Sequence, residues 1–334
     1  MKTKIALLAG GYTEEAKVSY KSAAFVYENI DKDKFDVYLI RITKGKWAYL
    51  DDEGEEYEID KNDFTLSKNG EKIIFDLVFI MIHGIPGEDG QLQGYFDLLG
   101  IKYTGCGLLS SALTMNKGYT KSVLQGVENL YMAKSLVFHR HEQMQAKEKI
   151  IEELRFPVFV KPNNGGSSIG MSKVNSKEEV EEALDKAFRT GEEAREVIVE
   201  EFIQGREFTQ GVYRSRKGEV ELLPASEVVT TRDFFDFDAK YVPGLTEEIT
   251  PADISKEKQE EIGEILKEMY IKLNCKGMVR IDFFLQKETD DFYFVEVNTV
   301  PGQTEQSFIP QQVRAKGMTE KDFYTDIIES ALVG

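Results

Sequence analysis

Two cysteines, one tryptophan and three histidines in 334 residues leave little room for several common chemistries. Cys106 and Cys275 lie far apart and outside any CxxC pattern, which excludes a disulfide framework or a cysteine zinc site and fits a reducing cytoplasm. No stretch approaches the roughly 18 apolar residues of a membrane span. The longest, IIFDLVFIMI at 73–82, is interrupted by Asp76 and reads as a buried strand. The apolar part of MKTKIALLAGGYTEE is too short for a signal peptide and runs straight into charge. Basic residues are outnumbered, 42 Lys and Arg against 59 Asp and Glu, and the net charge of −17 argues against nucleic acid or an anionic membrane as the main partner. A local cluster of lysines can still override that field and hold a small anion. Also missing are G-x-x-x-x-G-K-[ST] and a GxGxxG after the first strand, so a P-loop NTPase and a Rossmann oxidoreductase are disfavoured. There are no internal repeats, low-complexity tracts or long linkers.

What is present is 41% hydrophobic sequence, enough for a sizeable core in two or three domains at roughly 100–200 residues each. KIALLAGG (4–11) predicts a strand ending in two glycines, followed by a helix around Val18 to Ile30. FDVYLIRI (35–42) and FDLVFIMIHG (75–84) predict further strands, with a surface hairpin over 48–59. Strands alternating with helices suggest a parallel α/β domain over about the first hundred residues, whose ligands would bind at loops after the carboxyl ends of its strands. FPVFVKPNNGGSSIGMSKV (156–174) reads as strand, glycine-rich turn, strand. The next helix opens on a predicted capping box, Ser176 and Glu179, and carries the apolar stripe Val180, Ala183, Leu184, Ala187 and Phe188. A further helix is predicted over 257–274.

Five stretches carry chemistry. RIDFFLQKETDDFYFVEVN (280–298) predicts a hairpin with Arg280, Asp282, Glu296 and Asn298 on one face, and Ile281, Phe283, Leu285, Val295 and Val297 on the other. That polar face is either solvated or an oxygen-ligand site for magnesium held together with substrate phosphates. In FVKPNNGGSSIG, Lys161, backbone N–H groups and two hydroxyls can enclose phosphate oxygens, or the glycines serve only a hairpin turn. HGIPGEDGQLQG (83–94) places His83 among four glycines after a buried strand, which suits close approach of a ligand or a plain turn and helix cap. His139 and His141 read as surface residues. EVNTVPGQTEQS (296–307) offers the Gly302 N–H to developing negative charge, and FFDFDAKY (234–241) is aromatic and acidic, ending in Lys240 and Tyr241. Taken singly, each stays ambiguous.

Taken together they resemble one family. GGYTEEAKVS, HGIPGEDGQLQG, YTGCG, MNKGYTK, FVKPNNGGSSIGMSKV, VEEFIQGREFT, FFDFDAKY, GMVRIDFF and EVNTVPGQTEQSFIP occur in the order and spacing of D-alanine–D-alanine ligases of the ATP-grasp superfamily, over nearly the whole chain. The resemblance implies an α/β, three-domain ATP-grasp fold: an N-terminal domain at 1–105, a central domain at 106–201 and a C-terminal domain at 202–334. It implies that Lys117 and Lys161 contact the phosphates of ATP, with Glu200, Glu201, Ile203, Glu207 and Lys240 completing the nucleotide site. Asp282, Glu296 and Asn298 would hold two Mg2+ ions, with Mn2+ as a substitute. Glu15 would take the ammonium of the first D-alanine near His83. Arg280 and the Gly302 N–H would form the oxyanion site, while Ser307 and Lys240 would bind the second carboxylate. Ser167 and Tyr241 would link to Glu15 and shut a lid. A homodimer follows from the family alone, and the resemblance implies a role in peptidoglycan precursor synthesis.

Three departures from the family pattern are visible: Asn116 where Asp is common, Phe235 and Phe237 for lid tyrosines, and Lys17 where an acid is common. Other readings share part of the equipment. A different carboxylate–amine ligase would need another first-substrate loop, a ligase for a different second substrate would share most of the site, and a nucleotide sensor would have little use for Arg280 and Ser307.

Overall fold

A computed structural model describes residues 2–51, 53–166, 169–190, 195–230 and 246–333. The first sheet contains β1 (Thr3–Gly10), β2 (Phe35–Ile42), β3 (Trp47–Leu50), β4 (Glu56–Asp60), β5 (Thr65–Lys68), β6 (Glu71–Ile73) and β7 (Leu77–Ile80). Its order is β6-β5-β4-β3-β2-β1-β7. Pairing is parallel only across β2, β1 and β7 and antiparallel beyond. The sheet is thus mixed: the hairpin expected on the surface extends it instead. Every residue of β7 is buried, as a central parallel strand requires. Helix α1 (Ala16–Asn29) packs on β1, and α2 (Gln91–Leu99) follows the histidine loop.

After α3 (Leu108–Met115) and α4 (Lys117–Leu124) comes β8 (Leu130–Met132). The second sheet joins β9 (Ser135–His139), β10 (Val158–Pro162), β11 (Ser172–Val174) and β12 (Glu196–Glu201) in the order β11-β10-β12-β9. Helices α5 (Gln143–Glu153) and α6 (Val180–Arg189) cover its apolar face, and the whole predicted stripe of α6 is buried. Neither reciprocal bond of the expected capping box forms. The Glu179 carboxylate accepts the Asn175 N–H and the Ser176 hydroxyl, while its own N–H bonds the Ser176 carbonyl, so the helix starts one turn later, at Val180.

The third sheet contains β13 (Gly205–Arg214), β14 (Val220–Leu222), β15 (Ser226–Thr230), β16 (Thr246–Ile249), β17 (Met278–Gln286) and β18 (Phe292–Asn298). Its main path is β16-β15-β13-β17-β18-β8, so β8 joins it from the preceding segment. Helix α7 (Lys256–Lys272) packs on one face, and α8 (Phe308–Ala315) and α9 (Glu320–Val333) carry apolar side chains back into the core of the first sheet. Cys106, Leu124 and Val127 pack into the third sheet's core together with Cys275, and both cysteines are buried free thiols. No helix among the described residues is long and apolar enough to cross a membrane.

Candidate active site

The acid-bearing hairpin shows how sequence becomes site. On β17 the buried residues alternate as expected: Ile281, Phe283 and Leu285 face the core. On β18 the parity breaks, because Phe292 and Phe294 are buried and so is Val297, three residues later. The register resolves it: Phe283 lies opposite Phe294 and Asp282 opposite Glu296, leaving Val295 as an extra residue. Val295 is therefore a bulge rather than a partner of Val297 on the core face. The bulge lets both apolar sets reach the core and still aims Glu296 and Asn298 with Asp282 and Arg280. Phe283 stacks on Phe292 at 4.4 Å and on Phe208 at 5.6 Å beneath them.

On the polar face, Arg280 grips Asp282 with two parallel bonds, Nε to Oδ1 and Nη2 to Oδ2, each 2.8 Å. Asn298 Nδ2 donates to Asp282 Oδ2 at 3.1 Å, and the Thr209 hydroxyl donates to Oδ1. Burial works against the charge of Arg280, but its pairing with Asp282 holds its pKa above the ordinary value. Glu207 sits two residues before Thr209 on β13 and so shares that face.

Opposite stands the charged face of the second sheet. Phe159 pairs with Glu200 across β10 and β12, which puts Lys161 and Glu200 on one side of that sheet. Lys161 Nζ lies 2.5 Å from Glu200 Oε2, and Lys121 Nζ donates to Oε1 at 2.6 Å. Burial disfavours a charged Glu200, yet the two ammonium groups outweigh it and hold the carboxyl at about 2. Burial likewise opposes the charge of Lys161, but Glu200 and, more weakly, Glu296 keep its pKa raised. Lys117 spans the gap: its Nζ donates to the Gly165 carbonyl at 2.6 Å and stands 3.8 Å from Glu296 Oε2. Glu201 points the other way, into a clamp with Arg155 (Nη2–Oε2 2.7 Å), so only its main chain is available to a nucleotide.

The first glycine loop brings Glu15 to the same place. A Cβ on Gly84, whose φ is +65°, would fall 2.3 Å from Glu15 Oε2, so a side chain there would displace that carboxylate. A Cβ on Gly166 would lie 3.5 Å from Glu15 Oε1, which places the carboxylate against the phosphate-type loop. His83 is buried and accounted for on both nitrogens: Nδ1 donates to the Val300 carbonyl at 2.7 Å and Nε2 accepts from Ser22 Oγ at 3.0 Å. Burial pushes its pKa down to about 4, against the bond to Val300 and with help from Arg280. Ser22 Oγ also accepts the Gln303 N–H at 3.1 Å, so this chain of bonds ties the loop holding Gly302 to α1. At Gly302 a Cβ would meet Ser307 Oγ at 2.9 Å. Ser307 begins α8, and Arg280 lies 5.7 Å above the ring of the next residue, Phe308.

Glu15, His83, Lys117, Lys161, Glu200, Glu207, Arg280, Asp282, Glu296, Asn298, Gly302 and Ser307 thus line one region between the three sheets. Ser167, Lys240 and Tyr241 lie outside the described residues, as do Phe235 and Phe237. Ile203 is half-buried just after β12. Lys17 pairs with Glu14 at 3.2 Å on the surface. Two residues were not anticipated. Lys121, on α4 four residues after Lys117, shares Glu200 with Lys161. Glu88 accepts the N–H groups of Gly84 (2.7 Å) and Val300 (3.1 Å), bridging the two loops. Burial pushes its pKa up to about 7, aided by Glu15 and opposed by those two bonds and Arg280. Lys121 lies in MNKGYTK, one helical turn after Lys117, and Glu88 in HGIPGEDGQLQG, but neither stretch pointed to the partner its residue finds.

The sequence profile of the D-ala D-ala ligase N-terminus matches residues 4–106, and that of the D-ala D-ala ligase C-terminus matches residues 126–329. The chain belongs to the D-alanine–D-alanine ligase family. It is 46% identical over 332 residues to the D-alanine–D-alanine ligase of Parabacteroides distasonis, covering 99% of this chain and 98% of the other. To the ligase of Azobacteroides pseudotrichonymphae it is 44% identical over 326 residues, 98% and 99% of the two chains. Among solved structures, the VanG D-Ala:D-Ser ligase of Enterococcus faecalis aligns with TM-score 0.88 and 32% identity, over 99% of this chain and 100% of that one. The D-alanine–D-alanine ligase of Bacillus anthracis complexed with ATP aligns with TM-score 0.77 and 27% identity, over 99% and 98%. The fold is the ATP-grasp fold of these ligases.

Proposed function

We propose that the protein joins two D-alanines at the expense of ATP, yielding D-alanyl-D-alanine, ADP and phosphate for peptidoglycan precursor synthesis in the cytoplasm. The observation that carries this reading is the approach of Glu15 to Gly166: an ammonium-binding carboxylate lies against a loop built to hold phosphate. Lys117 and Lys161 neutralise the phosphates, and Glu200, the main chain at Glu201 and Ile203, Glu207 and Lys240 complete the nucleotide site between the second and third sheets. The units 1–105, 106–201 and 202–334 are the domains that close on it.

The donor set for a metal is Asp282, Glu296 and Asn298. No group of three or more His, Cys, Asp or Glu gathers among the described residues. Two carboxylates and an amide, with Asp282 directly across from Glu296, are nevertheless the hard oxygen donors that suit Mg2+ and would hold it. When bound, Mg2+ (or Mn2+) would supply positive charge to neutralise the phosphates during transfer.

A carboxylate is a poor electrophile, so the first D-alanine, its ammonium held at Glu15, is phosphorylated by ATP on its carboxylate oxygen, giving an acyl phosphate and ADP. The second D-alanine, its carboxylate held at Ser307 by the N-terminus of α8 and by Lys240, attacks as the free amine. Arg280 and the Gly302 N–H stabilise the tetrahedral oxyanion until phosphate leaves. Tyr241 and Ser167 join Glu15 in closing the site, because water would destroy the acyl phosphate. A homodimer is the proposed assembly.

The test is phosphate release with ATP and D-alanine, followed by product analysis with D-alanine, D-serine and D-lactate in competition. D-Alanyl-D-alanine as the main product at neutral pH is expected. Mostly D-alanyl-D-serine or D-alanyl-D-lactate would overturn the substrate assignment, and no D-alanine-dependent phosphate release would overturn the activity.

A further inference from the structure

We propose that Asn116, Asn163 and Glu196 form a positioning staple that fixes Lys117 against residues 163–165, so that the lysine and this stretch of backbone meet the ATP phosphates as one body. This rests on the reading of Lys117 as a phosphate contact. Asn163, at the end of β10, is 1% exposed and uses every polar group of its side chain. Its Oδ1 accepts the Gly118 N–H at 2.9 Å. Its Nδ2 donates to Asn116 Oδ1 at 3.0 Å and to Glu196 Oε2 at 2.7 Å. Its carbonyl accepts the Lys117 N–H at 3.0 Å. Asn116 completes the triangle, with Nδ2 donating to the same Glu196 oxygen at 3.0 Å and Oδ1 accepting the Tyr119 N–H at 2.9 Å to cap α4. An isolated bridge pairs Asn116 with Asn164. The start of α4 is thus bonded to residues 163 and 164, and the Lys117 ammonium returns to the carbonyl of Gly165.

Helix stability does not account for this arrangement. The positive end of a helix disfavours a cation, yet Lys117 is the first residue of α4. The cap needs only one side-chain oxygen, which aspartate supplies as well as asparagine. What aspartate cannot do is donate to Glu196, whose other oxygen faces His139 Nδ1 at 3.5 Å. The amide at position 116, one of the departures from the family pattern, is therefore matched to the carboxylate at position 196.

Asn116→Asp keeps the cap and sets a second carboxylate against Glu196. The expected result is a KM for ATP raised about tenfold, since like charges face each other at hydrogen-bond range, with the KM for D-alanine and the melting temperature little changed. Adding Glu196→Gln gives the new carboxylate a donor and is expected to bring the KM for ATP back to within about threefold of wild type, the coupling a double-mutant cycle reads. A wild-type KM for ATP in Asn116→Asp, equal losses for both substrates, or no recovery in the double variant would overturn the staple. Should Asn116→Asp not fold, Glu196→Ala carries the same test: a KM raised for ATP alone supports the staple, and an unchanged one overturns it. Failure of the wild-type protein to release phosphate with ATP and D-alanine strikes the proposed function instead, before any variant is compared.

Discussion

Arg280 and Asp282, two residues apart on β17, hold each other through a two-pronged ion pair with both bonds at 2.8 Å. The group proposed to meet the oxyanion and the group proposed to meet the metal are thus positioned by one contact, and removing either disturbs the other.

Asp282→Ala is accordingly expected to do two things. Turnover falls at least about a hundredfold, because phosphate charge is left unneutralised, and stability drops by about 1–3 kcal/mol, because Arg280 loses its partner in a largely enclosed site. Glu296→Gln, which leaves that pair intact, should lose turnover with little loss of stability. Phosphate release across a magnesium series and urea denaturation measure both. Near-normal turnover of either variant at limiting magnesium sinks the metal assignment.

At Lys161, position matters more than charge. Arginine keeps the charge but replaces a compact ammonium by a planar fork, and the slot beside Glu200 is enclosed, with Lys161 only 14% exposed along its side chain. Lys161→Arg is expected to weaken ATP binding by about tenfold or more, as misfit charge pairs at buried sites do. Calorimetry with a non-hydrolysable nucleotide reads it directly, and an unchanged affinity would return the 159–170 stretch to a plain hairpin turn.

Glu200 should make stability acid-sensitive. Its carboxyl ionises near 4.5 when unpaired and at about 2 in the folded protein. Its contribution is therefore fully present above about pH 4.5 and lost as pH falls toward 2, amounting to at most roughly 3 kcal/mol. Urea unfolding at intervals from pH 3 to 6 should show this slope in wild type and a shallower one in Glu200→Gln. Parallel slopes would show that Lys161 and Lys121 do not hold the charge.

Val295 tests the bulge. Deleting it removes the extra residue and leaves a strictly alternating β18, with Phe292, Phe294 and Val297 on the core face and Glu296 and Asn298 still across from Asp282 and Arg280, and Val295→Ala keeps the register as it is. The deletion is expected to fold and to keep turnover, and the alanine variant to cost about 1 kcal/mol or less, as for a half-buried side chain. A deletion variant that folds but does not turn over would mean that Val295 is more than an extra residue absorbed by the strand.

Much of this protein was legible locally. Strand β2 runs over the residues that its apolar pattern marks, the buried stripe of α6 is the predicted one, and Arg280, Asp282, Glu296 and Asn298 share a face. Periodicity is a property of neighbouring residues, so the sequence alone suffices for it. The order and spacing of nine short stretches likewise sufficed for the family. Only the tertiary structure decided that the 48–59 hairpin extends the first sheet, that β8 joins the third, that Val295 bulges, and that Glu201 turns away to Arg155 while Lys121 shares Glu200. Those outcomes depend on which distant segment supplies the partner for an unpaired strand edge or a buried charge. Glu88 is the plainest case: nothing in HGIPGEDG says that its carboxylate will receive the N–H of Val300, 212 residues away. Burial made that bond necessary, and burial is decided by the whole chain.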